Sequence, residues 1–162
     1  MTAIETLEKY PLFDVAVLHH GFAPHLRDYE LLTEADWIGD AAGRYRYLFT
    51  HCVVADYETR VRDDVWPKSW DDVFIDYDRW LEAEEPDGFV WGTNWALAYP
   101  GWEHHADSER ARSWSERLGR EMYEVSIETN AYVLRLVFHG ARVEKVSDDA
   151  DLVRQVFIPL GP

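Results

Sequence analysis

Residues 45–61 alternate between two rows of side chains without a break, and this alternation constrains the fold more than any other feature of the chain. One row runs from Tyr45 to Val61 through mostly aromatic and aliphatic residues, and no Gly, Pro or Asn interrupts it. Side chains two positions apart share one face of a strand, so the segment predicts a β-strand. It is much longer than the usual five or six residues, and a single-residue bulge would exchange its faces. We therefore expect one long, bent strand, or two strands joined without a flexible turn.

The other segments divide between helical and strand periodicity. Helices are predicted where apolar residues recur every three or four positions, over residues 2–10, 12–20, 69–85 and 104–119. The first helix begins with a capping-box pattern at Thr2 and Glu5. Strands are predicted where apolar and polar residues alternate, over residues 28–37, 89–99, 123–129, 132–138, 141–146 and 152–160. A tight hairpin at Asn130-Ala131 is expected to join two of these strands.

These elements predict an α+β fold in a single domain over residues 1–162. We expect an antiparallel sheet of about five to seven strands, with two to four helices packed on one face. Most connections between strands are short, and no repeated strand–helix–strand rhythm is present. A parallel sheet is therefore not expected, since parallel strands need long crossover connections.

The charge of the chain limits the partners that it can bind directly. The 162 residues include 16 basic and 31 acidic side chains, which give a formal net charge of −15. Phosphate binding needs a basic patch, so nucleic acid is not an expected ligand. The single Cys excludes an intrachain disulfide, and no run of about 18 apolar residues predicts a membrane helix. Since the N-terminus has no secretory signal pattern, we expect a cytoplasmic protein without cofactors that contacts neither nucleic acid nor membrane.

Several short aromatic and histidine-containing motifs are spread through the first hundred residues. They are His20-Gly21-Phe22, Arg27-Asp28-Tyr29, Tyr45-x-Tyr47-x-Phe49-Thr50-His51-Cys52-Val53, Phe74-x-Asp76-Tyr77, Pro86-Asp87-Gly88 and Trp91-Gly92-x-Asn94-Trp95. Over roughly residues 12–100, this set resembles the YxiG-like domain family of small bacterial proteins. The resemblance implies a bacterial, cytoplasmic protein, and it implies no particular reaction and no catalytic residues.

Asp28, Glu30 and His51 are the candidates for acid–base chemistry. Asp28 and Glu30 are two positions apart on a predicted strand, and His51 can approach them from a neighbouring strand. A metal site that includes His19, His20 or His51 is an alternative, since zinc needs three or four such ligands. In the preferred interpretation there is no metal: His51 is a hydrogen-bonded core residue, and His19 and His20 complete a helix end.

The tryptophans after residue 90 have two interpretations. Trp91, Trp95 and Trp102 offer an aromatic platform for a sugar or another planar ligand. Core packing is preferred, because the helix predicted over residues 69–85 presents a matching aromatic face. Asn94 lies among small residues on the opposite face of the predicted strand, and it is the polar candidate for ligand binding in this segment.

The acidic residues are concentrated in one part of the chain. Residues 56–87 hold twelve acidic and four basic side chains, a local charge of −8, whereas residues 108–120 carry +2. We define the acidic face by its candidate binding residues, which are Asp63, Asp64, Asp71, Asp78, Glu82 and Glu85. Because such a surface attracts a basic protein over a distance, we expect a non-enzymatic interaction module of the immunity or regulatory type. A small acid–base or metal-dependent enzyme, or an aromatic-platform binder of carbohydrate or small molecules, is the alternative.

Overall fold

The computed structural model describes residues 1–25, 27–35, 42–60 and 96–147, together with residues 63, 81, 82 and 84. In this part of the chain, eight antiparallel strands form one sheet: Val15–Phe22 (β1), Tyr29–Ala35 (β2), Gly43–Thr50 (β3), Val54–Thr59 (β4), Ala96–His104 (β5), Tyr123–Thr129 (β6), Tyr132–Phe138 (β7) and Gly140–Val146 (β8). Within the described residues, two short helices accompany the sheet, Ala3–Lys9 (α1) and Glu109–Leu118 (α2), and Leu81 and Glu82 are also helical. The order of the strands across the sheet is β4-β7-β6-β5-β1-β2-β3-β8.

This architecture shows that the predicted α+β fold, with five to seven strands and two to four helices packed on one face, is wrong. The described residues form mainly a single eight-stranded antiparallel sheet. The two helices also pack in different places: α1 buries Leu7 in the main core, whereas α2 buries Ala111 in a second cluster with Met122 and Val137. No helix among the described residues is long and apolar enough to cross a membrane.

Two helix predictions fail because all or part of each segment forms a strand of the sheet. The segment expected to be a helix over residues 12–20 instead contributes β1, in which Val15 and Val17 are buried and Ala16 between them is half-buried. The helix expected from residue 104 begins only at Glu109, because β5 continues to His104. In both segments the pairing of neighbouring strands satisfies the backbone groups that a helix would have satisfied internally. The helix predicted over residues 69–85 falls outside the described residues, except that Leu81 and Glu82 are helical.

The sheet closes on itself because two pairs of strands are continuations of each other. Three residues separate β3 from β4, and only His139 separates β7 from β8. Since β3 pairs with β8 and β4 pairs with β7, the two long strands lie side by side. The pairings of β1, β2, β5 and β6 complete a ring around the main core. Phe49 and Phe138 are fully buried inside it and meet edge to face at 4.9 Å, each contributing about 1.5–3 kcal/mol by its burial.

The long alternating segment consists of two strands separated by residues 51–53. Phe49, Cys52 and Ala55 follow one another at intervals of three positions instead of two, and all three contact the main core. The side chains therefore change face once before Cys52 and once after it, and the second change restores the original alternation. His51 adopts a left-handed backbone conformation, with φ of 50°, at the first change. Of the two predicted alternatives, the structure has two strands rather than one long strand, and the unbroken alternation hides the turn at His51.

Two short-range predictions are confirmed. At the start of α1, the Thr2 N–H donates to the Glu5 carboxylate at 2.6 Å, and the Glu5 N–H donates to the Thr2 hydroxyl at 3.2 Å. Asn130 and Ala131 join β6 to β7 in an antiparallel hairpin. Both features depend on residues close together in the chain, which is why the pattern of the sequence was sufficient to predict them.

Candidate functional site

Asp28 is the centre of a polar cluster at the break between β3 and β4. Its side chain is almost fully buried, and its Oδ1 accepts hydrogen bonds from the His51 N–H and the Arg27 Nε, both at 2.9 Å. Its Oδ2 accepts from the Arg27 Nη2 at 2.8 Å and lies 3.2 Å from the His25 Nε2. The Arg27 guanidinium, with further help from the His51 N–H and His25, holds the pKa of Asp28 well below its usual range. Asp28 is therefore an ionised acceptor whose two oxygens are both occupied.

The structure brings Asp28 and His51 together, but it does so through the main chain of His51. The His51 ring faces the His139 ring, with the centroids 5.8 Å apart, and its Nδ1 is buried without a hydrogen-bond partner among the described residues. Burial, together with Arg120 and Arg27, lowers the pKa of His51, so the ring is neutral at pH 7. His139 donates from Nδ1 to the main-chain oxygen of Glu121 at 2.7 Å.

Glu30 belongs to a different part of the surface. The predicted alternation of β2 is confirmed, with Tyr29 and Leu31 buried and Glu30 on the outward face. There Glu30 accepts hydrogen bonds from Arg46 at 2.7 and 3.1 Å, and the His19 Nε2 lies 4.0 Å away. Glu30 and Asp28 therefore have different partners, and each carboxylate belongs to its own polar cluster.

His20 is turned into the interior by an irregularity in β1. The register against β2 shifts between Val17 and His19, which places His20 on the inward row. The His20 Nδ1 lies 2.6 Å from the Tyr29 hydroxyl, and the His20 ring centroid lies 4.9 Å from that of Tyr132. Burial lowers the pKa of His20 and raises the pKa values of Tyr29 and Tyr132. His20 is therefore a neutral member of an aromatic cluster, and the expectation that it completes a helix end is wrong.

The candidate metal ligands do not converge in the described part of the chain. His19 contacts Glu30, His20 contacts the tyrosine cluster, and His51 faces His139. No group of three or more His, Cys, Asp or Glu side chains among the described residues is arranged to hold a metal ion. Cys52 is buried, and burial raises the pKa of its thiol to about 12, which keeps the thiol protonated.

Much of the predicted acidic face and aromatic platform falls outside the described residues. This applies to Asp64, Asp71, Asp78, Glu85, Trp91, Asn94 and Trp95. Asp63 and Glu82 are described, and both are exposed. Trp102 is half-buried and packs against the main core, as expected if it is a packing residue.

A cavity that sequence reasoning missed lies on the outward face of the sheet, beside the start of α2. Its volume is about 620 Å³. Eight residues line it: Glu103, His104, His105, Ala106, Asp107, Ser108, Glu124 and Arg135. The His105 Nε2 lies 2.8 Å from the Ser126 Oγ. The signal for this cluster in the sequence is that polar Glu124 and Ser126 alternate with apolar Val125 and Ile127 along β6.

Glu124 anchors one wall of the cavity to α2 and β4. Arg110 donates hydrogen bonds to both Glu124 and Asp56, and the Ser108 hydroxyl donates to Glu124. Burial would raise the pKa of Glu124, but the bonds from Arg110 and Ser108 outweigh it and lower that pKa. The contact between Arg110 and Asp56 also pairs one charge of the basic segment at residues 108–120 with one charge of the acidic segment at residues 56–87.

No curated protein matches the chain, but one family model does. The sequence model of one family, described as YxiG-like protein, matches residues 3–155. This match covers far more than the segment over residues 12–100 that carries the motif resemblance, and it includes the cavity and α2. The chain therefore belongs to the YxiG-like protein family.

Proposed function

We propose that this YxiG-like protein is an acidic protein-interaction module, of the immunity or regulatory type, that binds a basic protein. The observation that carries the proposal is the local charge of −8 over residues 56–87. The partner would contact the acidic face, which includes exposed Asp63 and Glu82.

The ion pairs of the described residues support this proposal, because they use much of the positive charge inside the molecule. Six arginines form ion pairs with carboxylates: Arg27, Arg44, Arg46, Arg60, Arg110 and Arg135. Among the described residues, their partners lie mostly outside the acidic segment, which contributes Asp56 and Glu58.

Charge of one sign on one surface acts mainly on association. It raises the rate at which a partner of opposite charge is captured, and salt screens it over about 10 Å at 0.1 M ionic strength. A basic partner should therefore bind at low salt and dissociate when salt is added.

Two variants with equal net charge test the location of the interaction. The first, the face variant, changes Asp71, Asp78, Glu82 and Glu85 to their amides. The control variant changes Glu8, Glu103, Glu109 and Glu116, which are exposed and lie outside residues 56–87. Each variant loses four negative charges, so any difference between them reports where the charge lies rather than how much remains.

The measurement is a pull-down from the lysate of the source organism, at about 50 mM and about 500 mM salt. The proposal expects a basic protein that the wild type and the control variant retain at low salt, that the face variant loses, and that high salt releases. Recovery of no basic protein by the wild type, or equal retention by the two variants, would overturn it.

A further inference from the structure

His51 and His139 occupy the breaks in the two long strands of the sheet. His51 follows β3 and precedes β4, and His139 is the single residue between β7 and β8. The two rings meet edge to face, with their centroids 5.8 Å apart. The His139 N–H donates to the main-chain oxygen of Thr50 at 3.0 Å, and the Val53 N–H donates to that of Val137 at 2.8 Å. The histidine pair therefore lies beside the main-chain hydrogen bonds that join one break to the other.

The surroundings of the His51 ring favour its neutral form. The His51 Nδ1 is buried, and within the described ranges of the chain it has no hydrogen-bond partner. A protonated imidazole carries an N–H at both nitrogens, so protonation would leave a buried donor unsatisfied, which costs free energy. Burial, the Arg120 and Arg27 guanidinium groups and the His139 ring all lower the pKa of His51. Geometry and charge thus oppose a proton on this ring in the folded chain.

The carboxylates near the two rings are already occupied by other partners. Asp28 acts in the opposite sense and raises the pKa of His51, but both of its oxygens accept from Arg27. The Glu121 carboxylate accepts from the Tyr123 hydroxyl at 2.6 Å, while its main-chain oxygen accepts from His139. The titratable and charged groups on the segments packed against the two rings are His25, Arg27, Asp28, Arg120 and Glu121.

We propose that His51 and His139 form an acid-sensitive switch, which keeps the two breaks joined while the rings are neutral and lets them separate locally when the rings are protonated. A charged His51 would be repelled by Arg27, by Arg120 and by a charged His139. Because folding lowers the pKa of His51, its stabilisation is present above the usual value of about 6.5 and is lost as the pH falls through the folded value. Asp28 stays ionised over this range, so the histidines account for the change.

Amide hydrogen exchange of the wild type at about pH 7.5 and about pH 5.5 tests the switch, once each rate is corrected for the intrinsic effect of pH. The protection of the His139 and Val53 amides should fall about tenfold at the lower pH, the change that one proton produces over one pH unit. The amides of Val125 and Ile127, in the middle of the sheet, should keep their protection and serve as an internal control. An equal fall at all four amides, or no fall at His139 and Val53, would overturn the proposal without any variant having to fold.

Matched variants show whether the two rings cause the change. His51→Asn suits the left-handed backbone at position 51, and in His139→Asn the new amide can still donate to the Glu121 oxygen. In each variant the effect of pH on the Val53 amide should shrink to less than about twofold. His104→Asn is the control, because this histidine lies on β5 beside Tyr123, and it should keep the tenfold change. If the pair only packs, His51→Asn and His139→Asn will lower protection equally at both pH values and keep the wild-type change, which would also overturn the proposal.

Discussion

Asp28 and Glu124 are both buried carboxylates, 2 % and 8 % exposed, but they are stabilised by different kinds of partner. Asp28 accepts from a main-chain N–H, that of His51, and from the adjacent side chain of Arg27. Among the described residues, Glu124 accepts from side chains on the segment that contains α2, those of Arg110 and Ser108. Asp28 thus secures the backbone at the break between β3 and β4, whereas Glu124 fastens a helix to the sheet.

This difference teaches that a buried charge is most costly to remove where its partner cannot move. The His51 N–H belongs to the main chain between β3 and β4, in a residue held in the left-handed conformation, so it cannot be repositioned as freely as a side chain. Arg110 is about one-third exposed and can return to water. The same substitution should therefore have a larger effect at position 28 than at position 124.

Replacing Asp28 should have the largest effect on stability. Asp28→Ala removes the acceptor of the His51 N–H and the ionic partner of Arg27, so we expect a loss of about 3 kcal/mol in the free energy of unfolding. Urea denaturation of the variant and the wild type measures this loss. A change below about 1 kcal/mol would show that the break does not depend on Asp28.

The second largest expected effect is a difference between Asp28 and Glu124 in how the free energy of unfolding falls at low pH. The pKa of Asp28 is lower in the folded than in the unfolded chain, so its stabilisation is present above the unfolded value of about 3.9 and is lost as the pH falls below it. Burial opposes the lowering for Glu124, so its contribution should be smaller. Unfolding measured between about pH 5 and pH 2 should show a shallower slope for Asp28→Asn than for Glu124→Gln. Equal slopes in the two variants would contradict the comparison.

Removing the contact between α2 and the sheet should destabilise the protein less than removing Asp28. The loss should depend on Glu124 and Arg110 together. Glu124→Gln should cost about 1.5 kcal/mol, an amount reduced by the partial exposure of Arg110. In a double-mutant cycle with Arg110→Met, the two effects should be non-additive by about 1 kcal/mol. Additive effects would mean that Glu124 and Arg110 stabilise the fold independently.

The smallest expected change in the free energy of unfolding is at an exposed ion pair. Arg60 and Glu128 are each more than one-third exposed, and solvent screens their attraction. Arg60→Met should change the free energy of unfolding by no more than about 0.5 kcal/mol, which thermal denaturation can detect as a small shift in Tm. A loss as large as that of Glu124→Gln would show that exposure does not separate these pairs.

Local patterns predicted the features that depend on neighbouring residues. The capping box at Thr2 and Glu5, the hairpin at Asn130-Ala131 and the alternation of β2 are all present in the structure. The meeting of Asp28 with His51 was also anticipated, although the main-chain contact that joins them was not. A hydrogen bond from a side chain to a main-chain group far away in the sequence does not produce a periodic pattern of residue types.

The prediction of a helix over residues 12–20 failed for a related reason. Val15 and Ala16 fit a helical face, while Val15 and Val17 fit a strand face, and the local sequence satisfies both periods. Pairing with β2 on one side and β5 on the other decided between them. The pair of Ser126 and His105 was missed because the two residues are 21 positions apart, and only the register of β5 against β6 brings them together.

The sequence by itself determined the alternating strands, the helix start at Thr2 and the uneven distribution of charge, because each of these follows from residue type and short spacing. Only the tertiary structure decided that the strands close into a ring, that Asp28 and Glu124 are buried, and that Ser126 meets His105. These outcomes depend on which strands pair and in what register. Pairing between distant strands is selected by the burial of a whole sheet face, a free energy that no short segment of the chain contains.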